Sequence, residues 1–171
     1  MKAAYVDTGV IIAKYLPGDP YHDRSISFLA SATRRKIVSP LTLVELMAVT
    51  SRHIETLQVP EKVLQEPPRK RTRGIVEFFL RDSNLTPVAI QMHARIKAAG
   101  SIMTIPLEYV RTIRLAHSLK LRTLDLMHLA YAENIRSSGE ELDTFVTNDR
   151  DILKKSDEIE KLLEIRPEEP S

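Results

Sequence analysis

The run Ala3–Val6 constrains the fold most: four apolar residues end at Asp7-Thr8-Gly9, and Ile11, Ile12, Tyr15 and Leu16 then follow at helical spacing. A strand that passes directly into a short helix is expected, with Asp7 at the strand's carboxyl end. The alternation continues along the chain. Pro17-Gly18-Asp19-Pro20 is a turn, Ile26, Leu29 and Ala30 mark a helix, and Ile37-Val38 a second strand. From Thr42, the positions Leu43, Met47, Thr50, Ile54 and Leu57 lie on one helical face.

Between Gln58 and Arg73 the composition turns to proline and positive charge, which predicts a short helix and a loop rather than core. Ile75–Leu80 resumes apolar character. Thr86-Pro87 looks like an N-cap with proline at the first helical position, predicting a helix that stops at Gly100, with a strand over Val88–Ile90 as the competing reading. Ser101–Ile105 reads as a third strand, Leu107–Leu119 and Leu124–Ile135 as helices, and Thr144–Val146 as a fourth strand before a helix from about Asp149. Leu163–Ile165 is a candidate last edge strand. Strands alternating with helices predict an α/β three-layer sandwich with a central, mainly parallel sheet, whose ligand site lies beyond the carboxyl ends of the strands.

A chain of 171 residues with 43% apolar and 28% charged composition suits one domain over 1–171, with a basic, proline-containing insertion around 58–84. The absence of cysteine excludes disulfides, thiolate metal sites and cysteine nucleophiles. No stretch reaches the length of a membrane span, and Asp7 interrupts the N-terminal apolar stretch, which argues against a signal peptide; a cytoplasmic location is expected. A formal charge of +2 names no partner, but basic residues concentrate in Arg34-Arg35-Lys36, Arg69-Lys70-Arg71-Thr72-Arg73 and Arg111 to Arg122.

Four acids sit beside predicted core elements: Asp7, Glu45 inside Leu41–Val49, Asp125 in the run that opens at Leu124, and Asp149 just after Val146. Asp7, Asp125 and Asp149 could each serve as helix caps. Glu45 resists that explanation because it lies several residues inside its helix, although a distant base such as Arg52 offers a pairing. Carboxylates gathered in one cleft repel and raise each other's pKa, and a hard divalent cation removes that repulsion. Mg²⁺ or Mn²⁺ suits an all-oxygen site better than Zn²⁺, and phosphodiester hydrolysis is the chemistry such a site performs. No Gly-rich phosphate loop, nucleophile elbow or close histidine pair points to a P-loop NTPase, serine hydrolase or zinc protease.

Val6-Asp7-Thr8, Glu45 in Leu41–Glu45, Leu124-Asp125-Leu126-Met127-His128-Leu129-Ala130 and Val146-Thr147-Asn148-Asp149-Arg150-Asp151 together resemble the ordered motifs of PIN-domain nucleases. The resemblance runs from the first strand almost to the C-terminus. It implies that Asp7, Glu45, Asp125 and Asp149 form a catalytic, metal-binding quartet, that Asp151 is an auxiliary acid, and that Thr147 helps to order the site. It further implies metal-dependent cleavage of RNA, an antitoxin partner and a homodimer, as in VapC toxins.

The sequence departs from the family pattern at Gly9, where a small polar residue is frequent, and at Leu126, where alanine is usual. Arg69, Lys70, Arg71 and Arg73 are candidate RNA-binding residues that would grip phosphates without reading sequence, with a solvated basic turn as the alternative. Phe78 and Phe79 read as core. His128, one turn after Asp125, is spaced to face the cleft, but a lone histidine on a mixed helix reads more readily as a packing or surface residue and takes no catalytic assignment. The competing functional class is a catalytically weak PIN-fold RNA-binding or scaffold protein.

Overall fold

The structure, a computed structural model, describes residues 2–171 apart from the side chain of Arg69. Its centre is a five-stranded sheet whose paired strands all run parallel. The strands are β1 (Ala3–Val6), β2 (Arg35–Val38), β3 (Leu85–Pro87), β6 (Leu142–Val146) and β7 (Arg166–Glu168), in the order β3-β2-β1-β6-β7. The chain builds outward from β1 to β2 and β3, then returns to the other side of β1 with β6. The crevice where this order reverses lies at the carboxyl ends of β1 and β6, where an open α/β sheet takes its ligands.

Period-two alternation along β1 splits the core into two layers. Ala3 and Tyr5 face one cluster, with Leu115 and Leu119 of α6 (Leu107–Leu119), Leu129 and Ile135 of α7 (Thr123–Ser137), and Ile159 of α9 (Ser156–Leu163). Ala4 and Val6 face the other, with Val10 and Ile11 of α1 (Thr8–Lys14), Leu29 of α2 (His22–Ala30), Leu46 of α3 (Pro40–His53) and Phe79 of α5 (Pro68–Asp82). Both faces of the sheet are therefore covered, the condition under which all-parallel sheets occur.

Three expectations are corrected. The segment after Thr86-Pro87 is no helix: β3 ends at Pro87, and β4 (His93–Ala98) and β5 (Ser101–Pro106) form an antiparallel hairpin separate from the main sheet. Alternation decides this, since Ala94 and Ile96 are partly buried while His93, Arg95 and Lys97 are exposed. Ala99 and Gly100, at φ 47° and 81°, supply the left-handed pair that a tight hairpin turn requires. The strand at Ser101 is thus real but belongs to the hairpin, and Val88–Ile90 is not a strand.

The basic run is likewise not a loop. The short helix α4 (Glu61–Leu64) is followed by α5, which begins at Pro68, so residues 69–73 occupy its first turns. Proline at the first helical position lacks only an N–H that would be unsatisfied there anyway. α5 then sends Ile75, Val76 and Phe79 into the core. The last edge strand lies at β7, just beyond Leu163–Ile165, because α9 runs on to Leu163 and Glu164 closes it in a left-handed conformation. Among the described residues no helix is long and apolar enough to cross a membrane.

Candidate metal centre

The four acids come from four different places in the fold, and Asp149 is not among the residues that line the cleft. Asp7 follows β1 and is the N-cap residue of α1; its backbone N–H donates to Val146 O at 3.0 Å, which fixes β1 against β6 at their carboxyl ends. Glu45 projects from α3, a helix started by Ser39, whose side chain accepts the Thr42 N–H, and by Pro40 at the first helical position. Asp125 lies in the first turn of α7 and Asp149 caps α8 (Arg150–Leu153). A cleft of about 380 Å³ is lined by Asp7, Glu45, Asp125 and His128, together with Thr8, Gly9, Val49, Arg52 and Leu124.

The tightest cluster is Asp7, Glu45 and His128, whose ligand-type atoms lie within 4.8 Å of one another. His128 Nε2 is 2.7 Å from Glu45 Oε2 and 3.8 Å from Asp7 Oδ1. Thr8 Oγ1 donates a short hydrogen bond to Glu45 Oε2. Thr147 Oγ1 donates to Asp7 Oδ2 at 2.6 Å and accepts the Asp149 N–H at 3.0 Å. The hydroxyls therefore hold carboxylate oxygens that would otherwise turn freely.

The electrostatics are those of crowded acids. Burial raises Asp7 above the usual carboxylate range, partly offset by His128 and the Thr147 hydrogen bond. Burial, with the charges of Asp149 and Asp7, pushes Asp125 up to about 6. Burial also works against the Glu45 carboxylate, but hydrogen bonds from His128 and Thr8 outweigh it and hold Glu45 below its ordinary value. His128 is raised: burial opposes its charge, while the Glu45 hydrogen bond and the charges of Asp7, Glu45 and Asp125 favour it.

These residues fit a hard divalent cation. Asp125 Oδ2 is buried without a hydrogen-bond partner, a costly state for a carboxylate oxygen unless a cation faces it. The donors are mostly carboxylate oxygens, as Mg²⁺ and Mn²⁺ prefer.

The other candidate residues fall in different places. Asp149 performs the capping role as well, its Oδ1 accepting from Asp151 N at 2.7 Å and Ile152 N at 3.4 Å. Asp151 is exposed, pairs with Lys154 at 3.1 Å and lines a neighbouring depression with Asp125, Lys120 and Arg122. Lys70 and Arg73 line a groove of about 390 Å³ between α4 and α5, where Arg73 Nε is 2.9 Å from Glu77. Arg71 Nε donates to Glu66 O. The Arg69 side chain lies outside the described residues.

Two cleft residues carry no site role in the sequence reading. His128 is 97% buried in relative terms, with only 3% exposed, and faces the carboxylates, not the surface. Its i, i+3 spacing from Asp125 was the one available signal. Arg52 shares the cleft but does not pair with Glu45, which takes His128 and Thr8 instead; among the described residues Arg52 has no acidic partner within ion-pair reach.

The PIN domain family model matches residues 4–158. Among solved structures, the chain is similar to the Mycobacterium tuberculosis toxin VapC20, described as cleaving the sarcin-ricin loop, at TM-score 0.55 and 16% identity, covering 96% of this chain and 100% of that one. It is also similar to VapBC2 from Rickettsia felis, solved bound to a DNA fragment from their promoter, at TM-score 0.54 and 14% identity, with 98% of each chain covered. No curated protein sequence matches the chain. At these identities the structural likeness speaks for the fold, and the family model, which spans most of the chain, shows the family: the chain belongs to the PIN domain family.

Proposed function

We propose that the protein is a divalent-metal-dependent endoribonuclease and the toxin component of a toxin–antitoxin pair. The observation that carries this reading is the meeting of Asp7 and Glu45 in one cleft with Asp125, whose buried oxygen lacks a protein partner. Asp7, Glu45, Asp125 and Asp149 would hold the ion, with Asp151 at the flank. Bound Mg²⁺ or Mn²⁺ would supply Lewis-acid activation and charge neutralisation for attack of water on a phosphodiester.

The chain's own residues do the remaining work. Thr147 and Thr8 orient Asp7 and Glu45. Arg52, unpaired in the cleft, receives a substrate phosphate, and Lys70, Arg71 and Arg73 on α5 attract the RNA backbone without reading its sequence. The sarcin-ricin-loop cleavage stated for VapC20 and the VapBC2 pairing support RNA as substrate and an antitoxin as partner. An antitoxin seated over the cleft, a homodimer and a cytoplasmic location complete the proposal.

Incubation of the purified chain with structured RNA tests the reading. Cleavage that appears with Mg²⁺ or Mn²⁺, stops with chelator and is lost in Asp7→Asn is the expected result. Metal-independent cleavage, or full activity of the variant, contradicts it. Growth arrest on expression, relieved by the product of an adjacent small gene, is expected of a toxin; harmless expression of an active nuclease contradicts that part. Salt-sensitive RNA binding without turnover would instead favour a binding protein.

A further inference from the structure

A continuous line of hydrogen bonds runs from the base of α3 through the core to the cleft. The Tyr5 hydroxyl lies 2.7 Å from Ser39 Oγ, 3.3 Å from Thr42 Oγ1 and 2.7 Å from His128 Nδ1. His128 Nε2 is 2.7 Å from Glu45 Oε2. Tyr5 is fully buried and its ring stacks on Phe145 at 5.1 Å between centroids, so the hydroxyl has one position to occupy.

Donor and acceptor chemistry gives this line a direction. An ionised carboxylate only accepts hydrogen bonds, so Nε2 must carry the proton that meets Glu45. In the neutral imidazole Nδ1 is then an acceptor, and the Tyr5 hydroxyl donates to it. Ser39 in turn donates to Tyr5 while its oxygen still accepts the Thr42 N–H that caps α3, the helix bearing Glu45. If the imidazole is charged, Nδ1 donates and the two hydroxyls reverse, but Nε2–H still faces Glu45. In neither state does the ring offer a cation a free lone pair.

Resting on the metal-binding reading above, we propose that Tyr5 and Ser39 are positioning residues. Through His128 they hold the Glu45 carboxylate in place for a divalent cation, and His128 supports that carboxylate instead of ligating the ion. The chain of contacts ties together β1, which Asp7 follows directly, α3, which carries Glu45, and α7, which carries Asp125. A buried Tyr–His pair that served packing alone would have no need to end on a cleft carboxylate. Partners that orient metal-binding groups in this way typically change metal affinity about 10- to 100-fold when removed.

Tyr5→Phe deletes the hydroxyl and keeps the stacked ring. Long-range ¹H–¹⁵N NMR of the histidine-labelled full chain is expected to show His128 protonated on Nε2 in the wild type. The same spectrum of Tyr5→Phe is expected to show a changed Nδ1 signal, with Mn²⁺ affinity by calorimetry falling about 10-fold. His128→Gln keeps an amide donor for Glu45 and is expected to bind Mn²⁺ within a few-fold of wild type, while His128→Ala loses about 10-fold. A neutral ring in the wild type protonated on Nδ1 and not on Nε2, a Tyr5→Phe variant unchanged in both readouts, or His128→Gln as damaging as His128→Ala overturns the proposal. If Tyr5→Phe does not fold, the two His128 variants decide. A wild type that binds no Mn²⁺ refutes the metal reading itself, and the NMR measurement still decides the hydrogen-bond line.

Discussion

Thr147 Oγ1 donates to Asp7 Oδ2 at 2.6 Å while accepting the backbone N–H of Asp149 at 3.0 Å, so one buried hydroxyl joins the acid at the end of β1 to the acid after β6. Thr147→Val keeps the shape and removes both bonds. Loss of a buried hydrogen bond to a charged group costs about 1–3 kcal/mol. The variant is expected to melt several degrees lower and to bind Mn²⁺ about 10-fold more weakly. Thermal unfolding and calorimetry check the two effects separately, and unchanged affinity would remove Thr147 from the site.

Asp149 caps α8 and its charge acts on Asp125 in the cleft, and two substitutions separate capping from the proposed metal-site role. Asn keeps a capping oxygen, so Asp149→Asn is expected to unfold within about 0.5 kcal/mol of wild type while losing RNA cleavage. Asp149→Ala is expected to lose cleavage and a further 0.5–2 kcal/mol or so of stability. Denaturant titration beside a cleavage assay measures both; a fully active Asp149→Asn would leave the residue as a cap alone.

The shifted acids give the metal-free protein a specific pH dependence. Asp125, raised to about 6, contributes most to stability below its unfolded pKa of about 3.9 and loses that contribution as pH rises through 6. His128 is also raised, so its contribution is complete below its ordinary value of about 6.5 and is lost at higher pH, in the same direction. The melting temperature in chelator is expected to fall from about pH 5 to pH 8, and Mn²⁺ is expected to raise it more at pH 8 than at pH 5.5. A flat profile with equal Mn²⁺ effects would contradict the crowding of these groups.

Arg52 and the α5 cations are expected to affect binding rather than the reacting centre. Arg52→Ala should raise KM for RNA about 10-fold. Combined Lys70→Ala, Arg71→Ala and Arg73→Ala should weaken RNA binding and make log Kd less steep in log salt, with kcat little changed. Binding isotherms at several salt concentrations read this directly, and an unaltered salt slope would place the RNA elsewhere.

Much of this architecture is legible in the residues. Ala3–Val6 and Phe145-Val146 lie in buried strands, as short apolar runs rich in β-branched and aromatic residues suggest, and Asp7 then lies at a strand's carboxyl end. Glu45, set inside an apolar helix face, lines the cleft. The hairpin was obscured because Thr86-Pro87 imitates a helix start; the period-two burial of Ala94 and Ile96 against His93, Arg95 and Lys97 was the stronger signal. The basic run misled because prolines near a helix start look like loop residues, although Pro68 opens α5. His128 could not be read locally, since its role depends on Tyr5, separated from it by 123 positions, and on Glu45, separated by 83. Nothing short of the packed sheet brings them together.

Anomalous diffraction from a crystal soaked in Mn²⁺ tests most directly whether these carboxylates share a cation. A peak is expected in the cleft with oxygens of Asp7 and Glu45 at roughly 2.1–2.2 Å and Asp125 in the surrounding shell. At saturating Mn²⁺, a cleft with no peak within reach of either carboxylate would contradict the metal centre and the nuclease built on it.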